Sequence, residues 1–433
     1  DDDDDDDDDA DDDDADWFFV PEGAGVSTKE EDLFVVGEDY DDDDSFGFAQ
    51  GFADVAEQDD DDETEGYRAN TRKGAKSNLR RRDRNTPVDI MGVKDGLKAD
   101  VNNKGELTSK QLKELAKKEE ETDLCILLQS IATSCKYIQN CVRKLGLANL
   151  SGKNGGTTNV QGEQQMKLDV IAHDVFTRGL DESKRCTMLI SEEEEAIMCT
   201  SSPNGRYVCV FDPLDGSSNI DCCVSVGSIF GVYRASALGK GDVNDVLRPG
   251  KEMVAAGYCM YGSACTMVLT VGGNVRGFTL DPSLGEFVLT HPKIKCPPSG
   301  ATYSVNEGNS RYWGGGMRRY VDHVKYHKEK PHALRYIGSM VADVHRTLLY
   351  GGTFSYPGDS KSPNGKLRLL YECFPMAYIM ERAGGAASDG TQRILDVCCT
   401  GIHQRHPIHM GSEEDVEEID ALLDSVPMEE RKN

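Results

Sequence analysis

A strand that ends in two aspartates constrains the fold of this chain more than any other stretch of its sequence. Residues Arg206–Phe211 are rich in β-branched and aromatic side chains, the pattern of a buried strand. Pro213 cannot donate a backbone hydrogen bond, so strand pairing should stop there and leave Asp212 and Asp215 at the strand end. Carboxylates at such a point can bind a hard cation, and the following Gly216–Ser218 can turn backbone N–H groups toward a phosphate. The stretch therefore predicts a metal-dependent phosphate ester hydrolase, with an ordinary turn after a strand as the alternative.

Most of the acidity of the chain lies in its first 66 residues. The chain has 433 residues and a formal net charge of −29. Residues 1–66 carry 32 acidic side chains and one lysine, which leaves 45 acidic and 47 basic side chains for the remainder. Charge repulsion with few aliphatic residues predicts that residues 1–85, an acidic tail and a basic linker, are disordered. The near-neutral remainder lacks the basic surface expected of a nucleic-acid-binding protein.

The cysteine pattern and the hydropathy argue against several classes of protein. The 14 cysteines include no C-x-x-C pair, which favours reduced thiols over a zinc site or a disulfide framework. Because no run of 18 apolar residues is present, we expect no membrane span and no membrane partner. The acidic N-terminus lacks the features of a secretory signal. We therefore expect a cytoplasmic protein, with a plastid location as the alternative.

Helical and strand patterns alternate along the rest of the chain, which predicts mixed α/β layers. Apolar residues recur every three or four positions from Leu124 to Leu145, where Gly146 ends a first helix. A polar loop over Ser151–Thr158 and a helix over about Gly162–Gly179 should follow. The other predicted elements are strands over Cys186–Ser191, Val224–Arg234, Val254–Tyr261, Thr266–Val271, Val275–Asp281 and Glu286–Leu289, and helices over Gly338–Tyr350 and Lys366–Arg382. The length allows two domains, over residues 86–292 and 293–425, with a tail over 426–433.

The stretch DPLDGSSNID, residues 212–221, resembles the metal site of the fructose-1,6-bisphosphatases. The resemblance extends from about Thr122 to Leu423. It implies a class I member of the sugar phosphatase and inositol monophosphatase superfamily. The implied fold class is α/β: a layered αβαβα sugar-phosphatase fold of two domains, preceded here by the disordered acidic N-terminal extension.

The resemblance also implies which carboxylates do the chemistry. Glu192 and Glu193 match the family's S-E-E motif, in which the first Glu bridges metals and the second helps an Asp, here Asp169, to polarise the attacking water. The implied metal ligands are Glu163, Glu192, Asp212, the Leu214 carbonyl, Asp215 and Glu372, and the implied catalytic residues are Asp169 and Glu193. Mg²⁺ suits this all-oxygen set, with Mn²⁺ as a chemical alternative.

Substrate-binding groups are implied mainly in the second half of the chain. Asn306 and Asn309 lie in a segment that resembles the family's N-E-G motif, although some members have Tyr at the position of Asn309. Arg335 matches an arginine that reaches the 6-phosphate of a neighbouring subunit, which implies a homotetramer. The implied substrate-binding residues are Asp215, Gly216, Ser217, Ser218, Asn306, Asn309, Arg335, Tyr336, Tyr356, Lys366, Leu367 and Arg368. Arg206, Tyr207 and Arg234 match positions that bind the inhibitor AMP.

The implied reaction is hydrolysis of the 1-phosphate of fructose 1,6-bisphosphate to fructose 6-phosphate, a step of gluconeogenesis and carbon fixation. The substrate would be a small sugar bisphosphate, and no nucleic acid or membrane partner is expected. A sedoheptulose-1,7-bisphosphatase is the alternative within enzymes. An inactive binding or scaffold protein on the same fold is the alternative outside them.

Overall fold

The computed structural model describes residues 109–148, 150, 152–158 and 164–426. The predictions for the acidic tail and basic linker, for Glu163 and for the C-terminal tail beyond residue 426 lie outside the described residues. The helices are α1 (Ser109–Arg143), α2 (Lys167–Ser183), α3 (Gly315–Asp322), α4 (Met340–Tyr350), α5 (Phe374–Arg382) and α6 (Glu413–Asp424). Within the described part of the chain, none of the helices combines the length and the hydrophobicity that a membrane span requires.

An eight-stranded sheet forms the larger of the two main sheets. Its strands are β3 (Cys186–Ser191), β4 (Met198–Cys199), β5 (Tyr207–Asp215), β6 (Val226–Arg234), β7 (Ala255–Tyr261), β8 (Cys265–Thr270), β9 (Val275–Asp281) and β10 (Glu286–Ile294). The order is β10-β9-β8-β7-β6-β5-β3-β4. Only the β3–β5 pair is parallel among the pairs of this sheet. The carboxyl ends of β3 and β5 therefore meet at one edge, which is where the acidic motifs follow.

The two faces of β5 are buried in different hydrophobic cores. Tyr207, Cys209 and Phe211 pack in a core with side chains of α1 and α2. Val208 and Val210 point the other way, into a core shared with α4 and α5. This alternation follows from the two-residue period of a strand. It explains why β5 is apolar on both faces and why it occupies the interior of the sheet.

The smaller sheet has five strands, in the order β12-β11-β13-β15-β14. These are β11 (Thr302–Ser304), β12 (Ala333–Leu334), β13 (Thr353–Tyr356), β14 (Ala386–Ser388) and β15 (Ile408–Gly411). One face joins the core of α4 and α5, and the other packs with α3 and α6 around Trp313 and Tyr320. The layers are therefore helix, sheet, helix, sheet and helix, which confirms the expected αβαβα fold. The predicted division into two domains at residue 292 stays a prediction.

The expectation that Pro213 ends strand β5 is wrong. The strand runs to Asp215, and its pairing with β6 changes register between Asp212, opposite Ile229, and Asp215, opposite Gly227. One extra residue on β5 therefore forms a bulge, and a bulge is one of the few places in a sheet where proline is tolerated. The bulge re-aims the two aspartates without ending the strand.

Several predicted boundaries also differ from the structure. The predicted loop over Ser151–Thr158 contains a strand, β1 (Lys153–Thr158), which pairs with β2 (Gln164–Met166). Helix α2 consequently begins at Lys167 rather than near Gly162. The helix expected over Lys366–Arg382 begins only at Leu369, with one π turn over Leu369–Cys373 before α5. The other predicted strands start within two residues of their predicted positions, whereas β4 and the five strands of the smaller sheet were not predicted.

Candidate active site

Three carboxylates from distant parts of the sequence meet in one cleft. Asp212 and Asp215 come from the bulged end of β5, and Glu372 comes from the π turn before α5. One oxygen of each lies within 4.8 Å of the other two. The carboxylate side chains are buried, with residue exposures of 1%, 7% and 2% respectively. Such a group of oxygen ligands fits a hard divalent cation such as Mg²⁺.

Glu192 adds a fourth buried carboxylate at the end of the neighbouring parallel strand. It is 7% exposed and lines the same cleft as the three carboxylates and Leu214. Its backbone N–H donates to the Phe211 carbonyl at 3.1 Å, a bond that ties the turn after β3 to β5. The structure thus brings together all described members of the implied ligand set.

Arg368 provides positive charge beside these carboxylates. Its Nη2 atom lies 2.8 Å from Glu192 Oε1, and its Nη1 atom lies 4.0 Å from Glu372 Oε2. The Arg368 backbone N–H also donates to Glu372 Oε2 at 2.5 Å. The resemblance implies that Arg368 binds substrate. In this structure it lines the cleft and forms its ion pair with an implied metal ligand.

The crowding of negative charge changes the acidity of the cluster. Burial, reinforced by Glu192, raises the pKa of Asp215 to about 7, although the Val341 N–H lowers it in part. Burial and the neighbouring carboxylates raise the pKa of Asp212 well above its usual range. Burial also raises the pKa of Glu372, against the opposing effect of Arg368. Buried carboxylates that repel one another in this way are the arrangement expected where a bound cation completes the site.

Asp169 and Glu193 line the same cleft as the carboxylate cluster. Asp169 lies in the first turn of α2, and its Oδ2 atom accepts a hydrogen bond from the Met166 N–H at 2.7 Å. Glu193 is held by Ser191, whose Oγ accepts the Glu193 N–H at 3.3 Å and lies 2.9 Å from His173 Nδ1. Because both carboxylates face the cleft, a water placed there can reach a proton acceptor.

The turn after β5, which the sequence predicts to bind phosphate, opens onto the cleft. Gly216 has a φ of +77°, a left-handed conformation that favours glycine. A Cβ atom at this position would lie 2.9 Å from Ser339 Oγ. Gly216, Ser217 and Ser218 all line the cleft, and a short 3₁₀ helix begins at Ser217. The N-terminal N–H groups of this turn are therefore placed beside the metal-type carboxylates.

The implied groups for the second phosphate lie on the smaller sheet and its loops. Asn306, Asn309 and Tyr356 line one shallow depression. Burial raises the pKa of Tyr336, and Tyr356 adds to this shift. The other implied groups differ in exposure: Arg335 and Lys366 are exposed and Leu367 is buried.

The three residues implied to bind AMP lie outside this cleft and contact helix α1. Arg206 Nε lies 2.7 Å from Asp123 Oδ2, and the Tyr207 hydroxyl donates to the Glu120 carbonyl at 2.9 Å. Arg234 forms an ion pair with the Glu120 side chain. These cations therefore already have carboxylate partners, and AMP binding stays a prediction.

The sequence reasoning missed several residues that shape the site. Asp221 lines the cleft and accepts the Gly152 N–H at 3.0 Å. Asn219 donates to the Gly338 carbonyl at 3.1 Å. Both lie in the quoted 212–221 stretch, so its polar residues could have drawn attention to them. Asp343 contacts the loop before α4, and no sequence signal singled it out.

Two family models match most of the described chain. The model described as "Fructose-1-6-bisphosphatase, N-terminal domain" matches residues 106–292. The model described as "Fructose-1-6-bisphosphatase, C-terminal domain" matches residues 296–424. Together they span the carboxylate cluster and the depression around Tyr356.

Individual relatives are similar over the same region. The cytosolic fructose-1,6-bisphosphatase of Spinacia oleracea is 57% identical over 320 residues, covering 73% of this chain and 94% of the relative. The cytosolic enzyme of Arabidopsis thaliana is 57% identical over 318 residues, covering 73% and 92%. The crystal structure of the Leishmania major enzyme in holo form matches with a TM-score of 0.68 and 46% identity, covering 73% of this chain and 99% of that chain. The chain belongs to the fructose-1,6-bisphosphatase family.

Proposed function

We propose that this chain hydrolyses the 1-phosphate of fructose 1,6-bisphosphate to give fructose 6-phosphate and phosphate. The observation that carries the proposal is the cleft in which Asp212, Asp215 and Glu372 approach within 4.8 Å of one another. The phosphate-binding turn at Gly216–Ser218 opens onto the same cleft. The relatives are named cytosolic fructose-1,6-bisphosphatases, which supports both this reaction and a cytosolic location.

The enzyme is metal-dependent, as its family is, and we propose Mg²⁺ as the metal, with Mn²⁺ as an alternative. Asp212, Asp215, Glu372 and Glu192 would hold it, helped by the Leu214 carbonyl and by Glu163. The all-oxygen donor set and the raised carboxyl pKa values of this buried cluster support a hard cation. When bound, the metal neutralises phosphate charge and makes a water more acidic.

The remaining groups have separate tasks in the reaction. Asp169 and Glu193 accept the proton of the attacking water, which enters in line with the leaving sugar oxygen. The N–H groups of Gly216–Ser218 hold the oxygens of the reacting phosphate. Arg368 orients Glu192 through their 2.8 Å ion pair.

The second phosphate binds on the smaller sheet in this proposal. Asn306, Asn309, Tyr336 and Tyr356 supply hydrogen bonds, and Lys366 supplies positive charge. The backbone of Leu367 lies between that cation and Arg368. These groups make the site selective for a bisphosphate over a monophosphate.

The finer assignments belong to the proposal as well. A class I homotetramer is supported by the exposure of Arg335, whose guanidinium donates to the Leu334 carbonyl at 2.8 Å and lies at the surface, where a second copy could reach it. A division into domains near residue 292 is supported by the separate family models. AMP binding at Arg206, Tyr207 and Arg234 requires the ligand to compete with the carboxylates of α1.

The test is phosphate release from fructose 1,6-bisphosphate, in Mg²⁺ and in EDTA, by the wild type and by Asp169→Asn. We expect release only with Mg²⁺ and a loss of roughly 10²–10⁴-fold in kcat for the variant. Asp174→Asn is the matched control, because Asp174 lies on the same helix but is exposed and pairs with Arg178 at 3.4 Å. Faster release from sedoheptulose 1,7-bisphosphate would change the substrate. No release from either ester by folded, metal-loaded protein would refute the enzyme proposal.

A further inference from the structure

Asp343 is a fully buried aspartate in the first turn of α4 that the reaction above does not use. Its residue exposure is 0%. Ser304 Oγ and Arg346 Nη2 both donate to its Oδ1 atom at 2.9 Å. The backbone N–H groups of Ile337 and Gly338 each donate to its Oδ2 atom at 3.0 Å. A buried carboxylate with this many donors holds them in one arrangement, because each bond left unmade is costly.

Two of these donors belong to the loop over residues 335–339, called here the substrate loop because it carries Arg335 and Tyr336. Gly338 in this loop has a φ of +85°, a conformation that favours glycine. Arg346 also donates to the Arg335 carbonyl at 2.6 Å. The Asp343 carboxylate therefore fixes the middle of the loop directly and its start through a neighbouring guanidinium.

The substrate loop is in turn joined to the phosphate-binding turn. Asn219 Nδ2 donates to the Gly338 carbonyl at 3.1 Å. The Val341 N–H, at the start of α4, donates to Asp215 Oδ2 at 3.0 Å. One end of α4 thus contacts both the carboxylate cluster and the loop that Asp343 organises.

We propose that Asp343 is a positioning residue that holds the substrate loop against the cleft and so sets the affinity for the non-reacting end of the substrate. The inference rests on the proposed function and extends it to a residue that touches no reacting atom. Asp343 acts through the N–H groups of Ile337 and Gly338. Because Asp343 is not among the residues that line the cleft with Asp169 and the metal-type carboxylates, its loss should affect binding more than the chemical step.

The test compares the wild type with Asp343→Asn, which keeps the size of the side chain and removes its charge. We expect KM for fructose 1,6-bisphosphate to rise on the order of tenfold, with kcat changed by less than about threefold. Calorimetry should show fructose 6-phosphate, which carries only the non-reacting end, binding on the order of tenfold more weakly. Inorganic phosphate should bind to both proteins with the same affinity.

Asp245→Asn is the matched control. Asp245 is also a buried aspartate, 4% exposed, and its carboxylate accepts the N–H groups of Ser236 and Asp242 at 3.0 Å each. Neither partner lines the cleft, so we expect lower stability with unchanged KM and unchanged fructose 6-phosphate affinity. An equal loss of affinity in both variants would overturn the proposal, as would an unchanged affinity in folded Asp343→Asn.

A second variant covers the case in which Asp343→Asn does not fold. Ser304→Ala removes one donor to the carboxylate and leaves its charge, and a smaller rise in KM in the same direction is expected. Unchanged fructose 6-phosphate affinity in Ser304→Ala would then overturn the inference. The binding measurement also separates the two proposals. A wild type that binds fructose 6-phosphate but releases no phosphate would refute the proposed reaction. The fructose 6-phosphate affinities of the variants would then still test the role of Asp343.

Discussion

Replacing Arg368 by methionine should destabilise the metal-free enzyme far more than the metal-loaded one. Methionine preserves much of the apolar bulk of the arginine stem and removes the cation. The Arg368 and Glu192 side chains are only 8% and 10% exposed, and their ion pair is 2.8 Å long. Removing one partner of such a buried pair costs about 3–5 kcal/mol, because the other charge stays buried without compensation.

Bound metal should reduce the loss of stability in Arg368→Met. A divalent cation that binds only the folded state at 100 times its Kd adds about 2.7 kcal/mol of stability. It also supplies the positive charge that the variant lacks. We therefore expect urea unfolding to show the full loss in EDTA and a clearly smaller loss in saturating Mg²⁺.

The loss in EDTA should also grow with pH. Arg368 lowers the pKa of Asp215 and Glu372, so its removal raises both pKa values further. A group whose folded pKa is raised stabilises the fold at low pH, and this contribution is lost as the pH rises through the folded pKa. Unfolding in EDTA should therefore separate the variant from the wild type more at pH 8 than at pH 5.

Arg393→Met is the control for this experiment. Arg393 is also paired with a glutamate, Glu381 at 2.5 Å, but its side chain is 44% exposed. Exposed pairs contribute about 1 kcal/mol or less. If both variants lose the same stability in EDTA, or if Mg²⁺ leaves the loss in Arg368→Met unchanged, the charge-compensation argument is wrong.

Three further predictions concern other parts of the molecule. Gly216→Ala should lower kcat and leave the Mg²⁺ affinity unchanged. Alanine disfavours the left-handed conformation, and its Cβ would lie 2.9 Å from Ser339 Oγ, so the turn should shift and displace the N–H groups proposed to bind phosphate. An unchanged kcat would contradict this. Burial lowers the pKa of His345 and His409 to about 4. Between pH 6.5 and 4 the unfolded chain therefore binds more protons than the folded one. The free energy of unfolding of the Mg²⁺-loaded enzyme should fall by about 2 kcal/mol per histidine between pH 7 and 5. Urea unfolding of the His345→Gln and His409→Gln variants should show a weaker pH dependence than the wild type. Asp123→Ala removes a carboxylate that accepts a hydrogen bond from Arg206 and forms an ion pair with Arg185, and it should cost about 1–2 kcal/mol. No change in the urea midpoint would show that these pairs are too well solvated to stabilise α1.

The local motifs of the site could be read from the sequence because each is short and self-contained. The strand pattern before Asp212 and the glycine and serines after Asp215 determine a local conformation through burial and backbone freedom. Asp169 and Glu193 came only from the resemblance, since a lone carboxylate on a helix or in an acidic run is usually solvated. The bulge at Pro213 could not be foreseen, because it depends on how β5 pairs with β6.

The sequence by itself determined the alternating apolar strands, the amphipathic helices and the order of the acidic motifs, all of which follow from periodicity and residue chemistry. Only the tertiary structure decided which of these motifs meet. Glu372 lies more than 150 positions from Asp215 in the chain, yet their oxygens share one cluster. Arg368, which the resemblance implies to bind substrate, forms an ion pair with Glu192 in the structure. The Asp343 carboxylate accepts five hydrogen bonds, which the sequence did not indicate. The reason is that pairwise electrostatics and hydrogen bonds act over a few ångströms in space, and sequence separation carries no information about that distance until the layers have packed.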